Sequence, residues 1–460
     1  MKRFCLIASM LFLAVGLSAA DYKVSVFPDE VTGPVKPMNA VNNGPIISNL
    51  YWYKMLHIPF CRTHDSATNN SYGGKNTVDI TAIFPDFDAD VDDPKSYHFT
   101  ETDNYFKVIA DGGSKILYRL GQTIENNKMQ PIKKGCYPPK DFKKWARICE
   151  HIVRHYNEGW ADGFHYDIPY WEIWNEPNLD IYQKHVEDDP KAWAGTVEQF
   201  AELYAVATRH LKKCFPHLKI GGPALSGLTM ADEFLGEIAK RKGVMDFFSY
   251  HCYGKVPEKM GTQAVKAQEL LEKYGYKGAE TILDEWNYVR RWHDTPPYSA
   301  HVRMSEKGAA YVISCMCVGQ ASPVDMLMYY DFRPTTTYNA VFDRNYYTPM
   351  KTFYSFYAWR KLADLGTAVR VEKGDAKGIY TAVAKGANGK IGVIVAYYSE
   401  DDNECERRTV KVSIPGLPEK GEAFVQMTDY ERSFTEFPCS ISKGCINIPL
   451  YTNSFAYIEL

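Results

Sequence analysis

At 460 residues the chain is too long for one simple core, so one large domain with a smaller companion is the expected arrangement. Hydrophobic residues at 45% and charged residues at 24% exclude extensive disorder, and a net charge of −3 excludes a basic surface built for nucleic acid. Aromatic content reaches 14%, with 33 Tyr and 9 Trp; these rings stack on sugars, although Tyr-rich β-structure produces the same statistic.

Residues 1–20 have the pattern of a secretory signal. Lys2 and Arg3 supply the charged start, Cys5 to Leu17 the apolar run, and Ser18-Ala19-Ala20 a small-residue cleavage site. The apolar run is shorter than the roughly 20 residues a membrane helix needs. No later run is longer, so the expectation is an exported chain, periplasmic or secreted, with no membrane span. Of the 11 Cys, Cys5 leaves with the signal. The others are scattered rather than spaced as a disulfide framework, and most read as small buried hydrophobes. Cys439 and Cys445 lie near enough to bridge a hairpin.

Residues 21–45 contain strand-like Tyr22–Val31 and are expected to pack on a C-terminal β-domain. From 46 to 364, short apolar runs alternate with amphipathic ones. Strands are expected at Ile58–Thr63, Val78–Ile83, Lys115–Leu120, Tyr170–Trp174, Leu218–Gly222, Met245–Tyr250, Glu280–Leu283 and Val324–Tyr330. Helical patterns separate most of them, including Thr102–Asp111, Pro139–Tyr156, Ala192–Cys214, Met230–Arg241, Thr262–Tyr274, Ser305–Val318 and Pro349–Lys361. Eight such units predict an α/β fold, a (β/α)8 TIM barrel. A doubly wound sheet rarely continues to eight regular units, and the Gly-rich nucleotide loop it usually carries is missing. Residues 365–460 change texture to short alternating runs separated by Gly, Pro or Asn, which predicts an antiparallel β-sandwich.

Two segments carry the chemistry. Tyr170-Trp171-Glu172-Ile173-Trp174-Asn175-Glu176-Pro177-Asn178 follows the expected fourth strand, and Leu283-Asp284-Glu285-Trp286-Asn287 ends the seventh. Carboxylates at strand ends are costly to desolvate, and barrel active sites lie at the C-terminal ends of the strands. Glu176 and Glu285 can therefore converge on one ligand. A pair of carboxylates facing a sugar ring is the machinery of glycoside hydrolysis; about 5–5.5 Å between them suits retention and about 6.5–9.5 Å inversion.

These motifs resemble clan A of the retaining glycoside hydrolases, and residues 172–179 are most similar to family 39, the β-xylosidase and α-L-iduronidase family. The resemblance implies a barrel with a small β-sandwich, Glu176 as acid/base and Glu285 as nucleophile. It also implies that Asn175 binds the sugar 2-hydroxyl, that Arg62 and Tyr253 hold Glu285 ionised and oriented, and that His64, His251 and Trp286 line the pocket. Arg62-Thr63-His64 would follow strand 1 and His251-Cys252-Tyr253 strand 6. Asp284 is expected to point to the opposite face from its neighbour, in a structural role. Tyr329 and Tyr330 stand where many clan members carry Trp.

Looser expectations concern the surroundings. Gln122 and Glu125 are candidate subsite contacts, Trp292 a candidate stacking residue, and Arg290 or Arg291 a candidate partner for a uronic acid. Asn69-Asn70-Ser71 is a glycosylation sequon, and segments Asp65–Asn76 and Asn287–Arg303 are expected to shape outer subsites. No cluster has metal-ligand spacing, so neither metal nor cofactor is expected. The expected partner is an oligosaccharide or polysaccharide. An endo-acting glycanase and a carbohydrate-binding protein without turnover remain alternatives.

Overall fold

The computed structural model describes residues 22–64, 78–124, 134–182, 190–293, 296–374 and 376–460. The signal segment, the sequon, Asp65–Asn76 and Glu125 lie outside the described residues.

Two closed sheets organise the chain. The first strand, β1 (Tyr22–Pro34), belongs to the C-terminal β-domain. The next eight are parallel and close into the expected barrel in chain order: β2 (Ala40–Asn42), β3 (Phe60–Thr63), β4 (Lys115–Leu120), β5 (Tyr170–Ile173), β6 (Lys219–Leu225), β7 (Phe247–Gly254), β8 (Glu280–Tyr288) and β9 (Met326–Tyr329). The last eight are β10 (Thr367–Lys373), β11 (Ile379–Lys385), β12 (Ile391–Tyr397), β13 (Arg407–Ser413), β14 (Lys420–Thr428), β15 (Thr435–Ser442), β16 (Cys445–Tyr451) and β17 (Ser454–Glu459). With β1 they form a nine-stranded, mostly antiparallel sheet around its own apolar core. β1 closes this sheet by pairing antiparallel with β10 and parallel with β13.

Two expectations about the barrel need correction. Val78–Ile83 is not a strand: Ile80–Ile83 is one helical turn, and Ile80 and Ile83 are buried at the three-residue spacing of a helix face. The missing strand is Ala40–Asn42, which pairs with Cys61–Arg62 on one side and Met328–Tyr329 on the other. Three residues are too few to display an alternation, so this strand had no periodic signature. The barrel therefore begins before residue 46, and Arg62 lies on the second barrel strand rather than the first. One strand lost and one gained leaves the numbering of the fourth and seventh strands unchanged.

Alternation along each barrel strand sorts its side chains. Ala40, Leu117, Tyr170, Phe247, Ile282, Met326 and Met328 form an apolar plug in the barrel interior. Two positions further along their strands, Asn42, Arg119, Glu172, Ser249 and Asp284 follow on the same face and are buried. Arg62 joins this layer from β3. Residues of opposite parity, such as Tyr118, Trp171 and Phe248, face the helices and belong to the main apolar core.

The outer helices form where expected. Phe142–Glu158 starts on Asp141, whose side chain accepts from the Lys143 and Lys144 amides, and ends at Gly159 with φ +78°, which a glycine adopts without strain. Val197–Cys214 starts on a Thr196/Gln199 capping box. Helices Glu306–Gln320 and Lys351–Leu365 also pack on β11 and β12, which joins the barrel to the β-domain. All ten cysteines beyond the signal are free, Cys439 and Cys445 included. No helix among the described residues is long and apolar enough to cross a membrane.

Candidate active site

The fourth and seventh barrel strands deliver their carboxylates by different local devices. After β5 the chain turns sharply, with Trp174 at φ 76° and Glu176 at φ 47°. Such left-handed conformations cost about 1–3 kcal/mol each for residues with a side chain. The surroundings hold them. The Trp174 amide donates to Leu120 O at 2.6 Å, its indole to Ala192 O at 3.0 Å, and the Glu176 amide to Ala224 O at 2.8 Å. Gly121 permits this approach: a Cβ there would lie 2.9 Å from Trp174 Cα.

On β8 the device is a β-bulge. Tyr250 pairs with Leu283 and His251 with Glu285, so Asp284 is the extra residue. Asp284 therefore faces the barrel interior in sequence with Ile282, and Glu285 also turns to the mouth. The expectation that Asp284 points away is overturned; it lies 3.1 Å from Arg62 Nε and 3.7 Å from His251 Nε2. The same bulge turns Trp286 outward, where it packs on Tyr329 and Tyr311 between strand and helix. Trp286 is fully buried there, so it does not line the pocket as expected.

Around Glu285 the other expected residues do meet. Arg62 Nη1 donates to its Oε1 at 2.8 Å, the Tyr253 hydroxyl to its Oε2 at 2.8 Å, and His64 Nε2 lies 3.7 Å from Oε1. His251 Nδ1 lies 2.6 Å from Glu176 Oε1 and 3.4 Å from Glu285 Oε2, between the two acids. Carboxylate oxygens of Glu176 and Glu285 fall within 4.8 Å of each other. Arg62 Nη2 donates to Asn175 Oδ1 at 2.8 Å, which leaves the buried Asn175 amide nitrogen with no partner among the described residues. A buried donor without an acceptor costs about 1–3 kcal/mol, and a ligand hydroxyl would satisfy it.

Arg62 is the centre of charge. Its Nε contacts Glu172 Oε2 at 2.6 Å as well as Asp284, and Nη1 donates to Asn42 Oδ1 at 3.0 Å. One guanidinium thus meets three buried carboxylates, which cannot all be ionised. Burial, reinforced by Asp284, raises the Glu172 pKa well above its ordinary value despite Arg62. Burial also acts on Asp284, but Arg62 and His251 outweigh it and hold Asp284 ionised. Glu285 is carried up to about 7, mainly by burial, with Glu176 and Asp284 adding to it and His251 and Arg62 opposing. Burial disfavours charge on His251, yet Glu285, Asp284 and Glu176 together push its pKa well above the usual range.

Aromatic side chains form one wall. Tyr253 lies edge-on to exposed Trp292 with centroids 5.0 Å apart, and Tyr330 and Tyr338 lie 6.4 Å from it. Tyr330 also lies 6.1 Å from His64, so the mouth carries a tyrosine at this strand end, while Tyr329 faces outward against Trp286 and Phe356. Gln122 is held by Asp79 and Thr81 beside the site. Arg290 is pinned against Tyr298 and Asp402 at the β-domain boundary and does not serve the pocket.

Asn42, Glu172, Asp284 and Tyr338 are site residues that the motif reading did not assign. Glu172 was accessible, since it shares strand parity with Tyr170; Asn42 and Asp284 depended on an undetected strand and a bulge. Glu176, His251 and Glu285 come from three separate elements and bring ligand-type atoms within 4.8 Å of one another, a grouping that spacing along the chain does not display.

Comparison with known proteins bears on the family and the fold. Residues 61–334 match the family model for glycosyl hydrolases family 39. A beta-xylosidase of Geobacillus stearothermophilus is 31% identical over 189 residues, 40% of this chain and 32% of that protein, so the chain spans about a third of that relative's length. A beta-xylosidase of Caldicellulosiruptor saccharolyticus is 23% identical over 362 residues, 73% of this chain and 70% of the relative. The crystal structure of a glucosidase from Croceicoccus marinus superposes with a TM-score of 0.72 at 20% identity, covering 95% of this chain and 98% of that one.

Proposed function

The chain belongs to glycosyl hydrolases family 39, and from that premise we propose that it is an exported, retaining β-xylosidase-like enzyme acting on oligosaccharides. The observation that carries the mechanism is the approach of Glu176 and Glu285 oxygens to within 4.8 Å. So close an approach of oxygens accords with the narrower carboxyl spacing of retaining enzymes, about 5–5.5 Å, rather than the about 6.5–9.5 Å of inverting ones. The relatives named beta-xylosidase support the substrate class. The apolar run of residues 5–17 and the small residues Ser18-Ala19-Ala20 support export.

In the first step Glu285 attacks the anomeric carbon as Glu176 gives its proton to the leaving oxygen. The glycosidic bond breaks and a glycosyl ester forms on Glu285. In the second step Glu176 takes a proton from water, the water oxygen bonds the anomeric carbon, and the ester breaks. Two inversions return the original configuration. Arg62 and Tyr253 aim the Glu285 oxygens and stabilise the carboxylate each time it is ionised. The Asn175 amide donates to the 2-hydroxyl, a bond that strengthens as positive charge grows on the ring.

The test is hydrolysis of an aryl β-xyloside by the wild type and by Glu285→Ala. The variant is expected to be inactive, and azide is expected to rescue it with a product of inverted configuration. Wild-type turnover in Glu285→Ala, or an inverted first product from the wild type followed by NMR, refutes the assignment. Chain-length analysis of oligosaccharide products separates exo from endo cleavage, and N-terminal sequencing of exported protein tests cleavage after Ala20.

A further inference from the structure

On the barrel flank, away from the mouth, a second set of ligand-type side chains meets. Helix Val197–Cys214 carries His210 and Cys214 four positions apart, which places both on one face. Helix Phe142–Glu158 packs against it and carries Glu150. His210 Nε2 lies 2.6 Å from Glu150 Oε2 and 3.9 Å from Cys214 Sγ, and donor atoms of all three residues fall within 4.8 Å of one another. Each residue is half-buried, close enough to solvent to admit an ion and sheltered enough to hold one.

The carboxylate is oriented from behind. Arg154 Nε and Nη2 donate to Glu150 Oε1 at 2.9 and 2.7 Å, which leaves Oε2 turned toward His210 and Cys214. Burial raises the Glu150 pKa, but the bonds from Arg154 and His210 outweigh it and hold the acid ionised. The Cys214 thiol is pushed up by burial and by Glu150, so it stays neutral in the absence of a cation.

We propose that Glu150, His210 and Cys214 form a binding site for a divalent cation of the zinc class, one carboxylate oxygen, one imidazole nitrogen and one thiolate sulfur occupying three tetrahedral positions and water the fourth. This donor set is the one zinc prefers, with Arg154 as the orienting partner of the carboxylate. Zinc bond lengths of about 2.0–2.3 Å imply donor separations of roughly 3.3–3.6 Å in a tetrahedron. His210 and Glu150, 2.6 Å apart, must therefore part by roughly 1 Å or less, and Cys214 must close in on both, from 3.9 Å on His210 and within 4.8 Å of Glu150, by shifts within the reach of side-chain rotation. On binding, the thiol proton goes to solvent and a metal–sulfur bond replaces it, with no change of oxidation state. The ion ties together the helices that follow β4 and β5, and so braces the flank of the strand that leads into the Glu176 turn. Its role is structural, and turnover does not pass through it.

The full chain, stripped of metal with a chelator, is titrated with Co2+ and separately with Zn2+. Cobalt is expected to produce a thiolate-to-metal charge-transfer band that saturates at one equivalent. The mouth cluster of Glu176, His251 and Glu285 contains no thiol and cannot produce this band. Cys214→Ser and His210→Gln are each expected to abolish it or weaken cobalt binding at least tenfold, without loss of glycosidase turnover. Zinc is expected to raise the melting midpoint of the wild type and not of either variant. No charge-transfer band in the wild type, or an unchanged band and unchanged zinc-dependent shift in either folded variant, overturns the proposal.

Discussion

Tyr253→Phe removes one hydroxyl and leaves the ring in place, which makes it a direct probe of how Glu285 is kept ionised. The hydroxyl donates to Glu285 Oε2 at 2.8 Å. A hydrogen bond to a charged group contributes about 1.5–3 kcal/mol. This one stabilises only the ionised carboxylate, and one pKa unit corresponds to about 1.4 kcal/mol, so its loss should raise the Glu285 pKa by about 1–2 units. Starting from about 7, the nucleophile would then be ionised in roughly a tenth to a hundredth of the molecules at pH 7. The nucleophile must be ionised to attack, so the acidic limb of kcat/KM should move to higher pH. Activity at pH 7 should fall by about 5- to 50-fold, with the deficit shrinking as pH rises. The assay is a pH–rate profile on an aryl β-xyloside, with circular dichroism to verify folding. An acidic limb that stays in place or moves to lower pH refutes the reasoning.

Other perturbations test the layers beneath. Arg62→Met leaves Glu172, Asp284 and Glu285 without their common cation, and is expected to cost about 3–5 kcal/mol along with nearly all turnover; thermal melting and kcat check this, and an unchanged melting midpoint contradicts it. Glu172→Gln fixes the neutral form of a group whose folded pKa is raised from 4.5 to about 8. A raised folded pKa gives stability that is complete below the unfolded value and lost as pH climbs through the folded one. The variant's melting midpoint should therefore decline less steeply than the wild type's between those limits, and an equally steep decline removes the argument. Trp286→Phe trims a ring packed on Tyr329 and Tyr311. It is expected to lower stability by about 1–3 kcal/mol and to leave KM within about twofold; a tenfold rise in KM with unchanged melting would return Trp286 to the pocket.

The sequence alone determined the reaction class and the architecture. Seven of the eight expected strands form in alternation with helices, and repetition on that scale suits a barrel, because each short strand buries both faces between an interior plug and a ring of helices. Trp174-Asn175-Glu176-Pro177 and Asp284-Glu285 at strand ends then put two acids at one mouth. Strand parity even contains the inner layer, since Glu172 follows Tyr170 and His251 and Tyr253 follow Ser249 on the same face. Tertiary structure decided what parity could not. Ala40–Asn42 is a strand only because β3 and β9 flank it and satisfy its backbone. The bulge at Asp284 arises where β7 and β8 fall out of register, and it reverses every side chain after it. Asp284 points inward in step with Ile282, and the extra residue brought Glu285 to the mouth beside it and sent Trp286 into the core. Period two is a local property, whereas an inserted residue is defined only against the neighbouring strand.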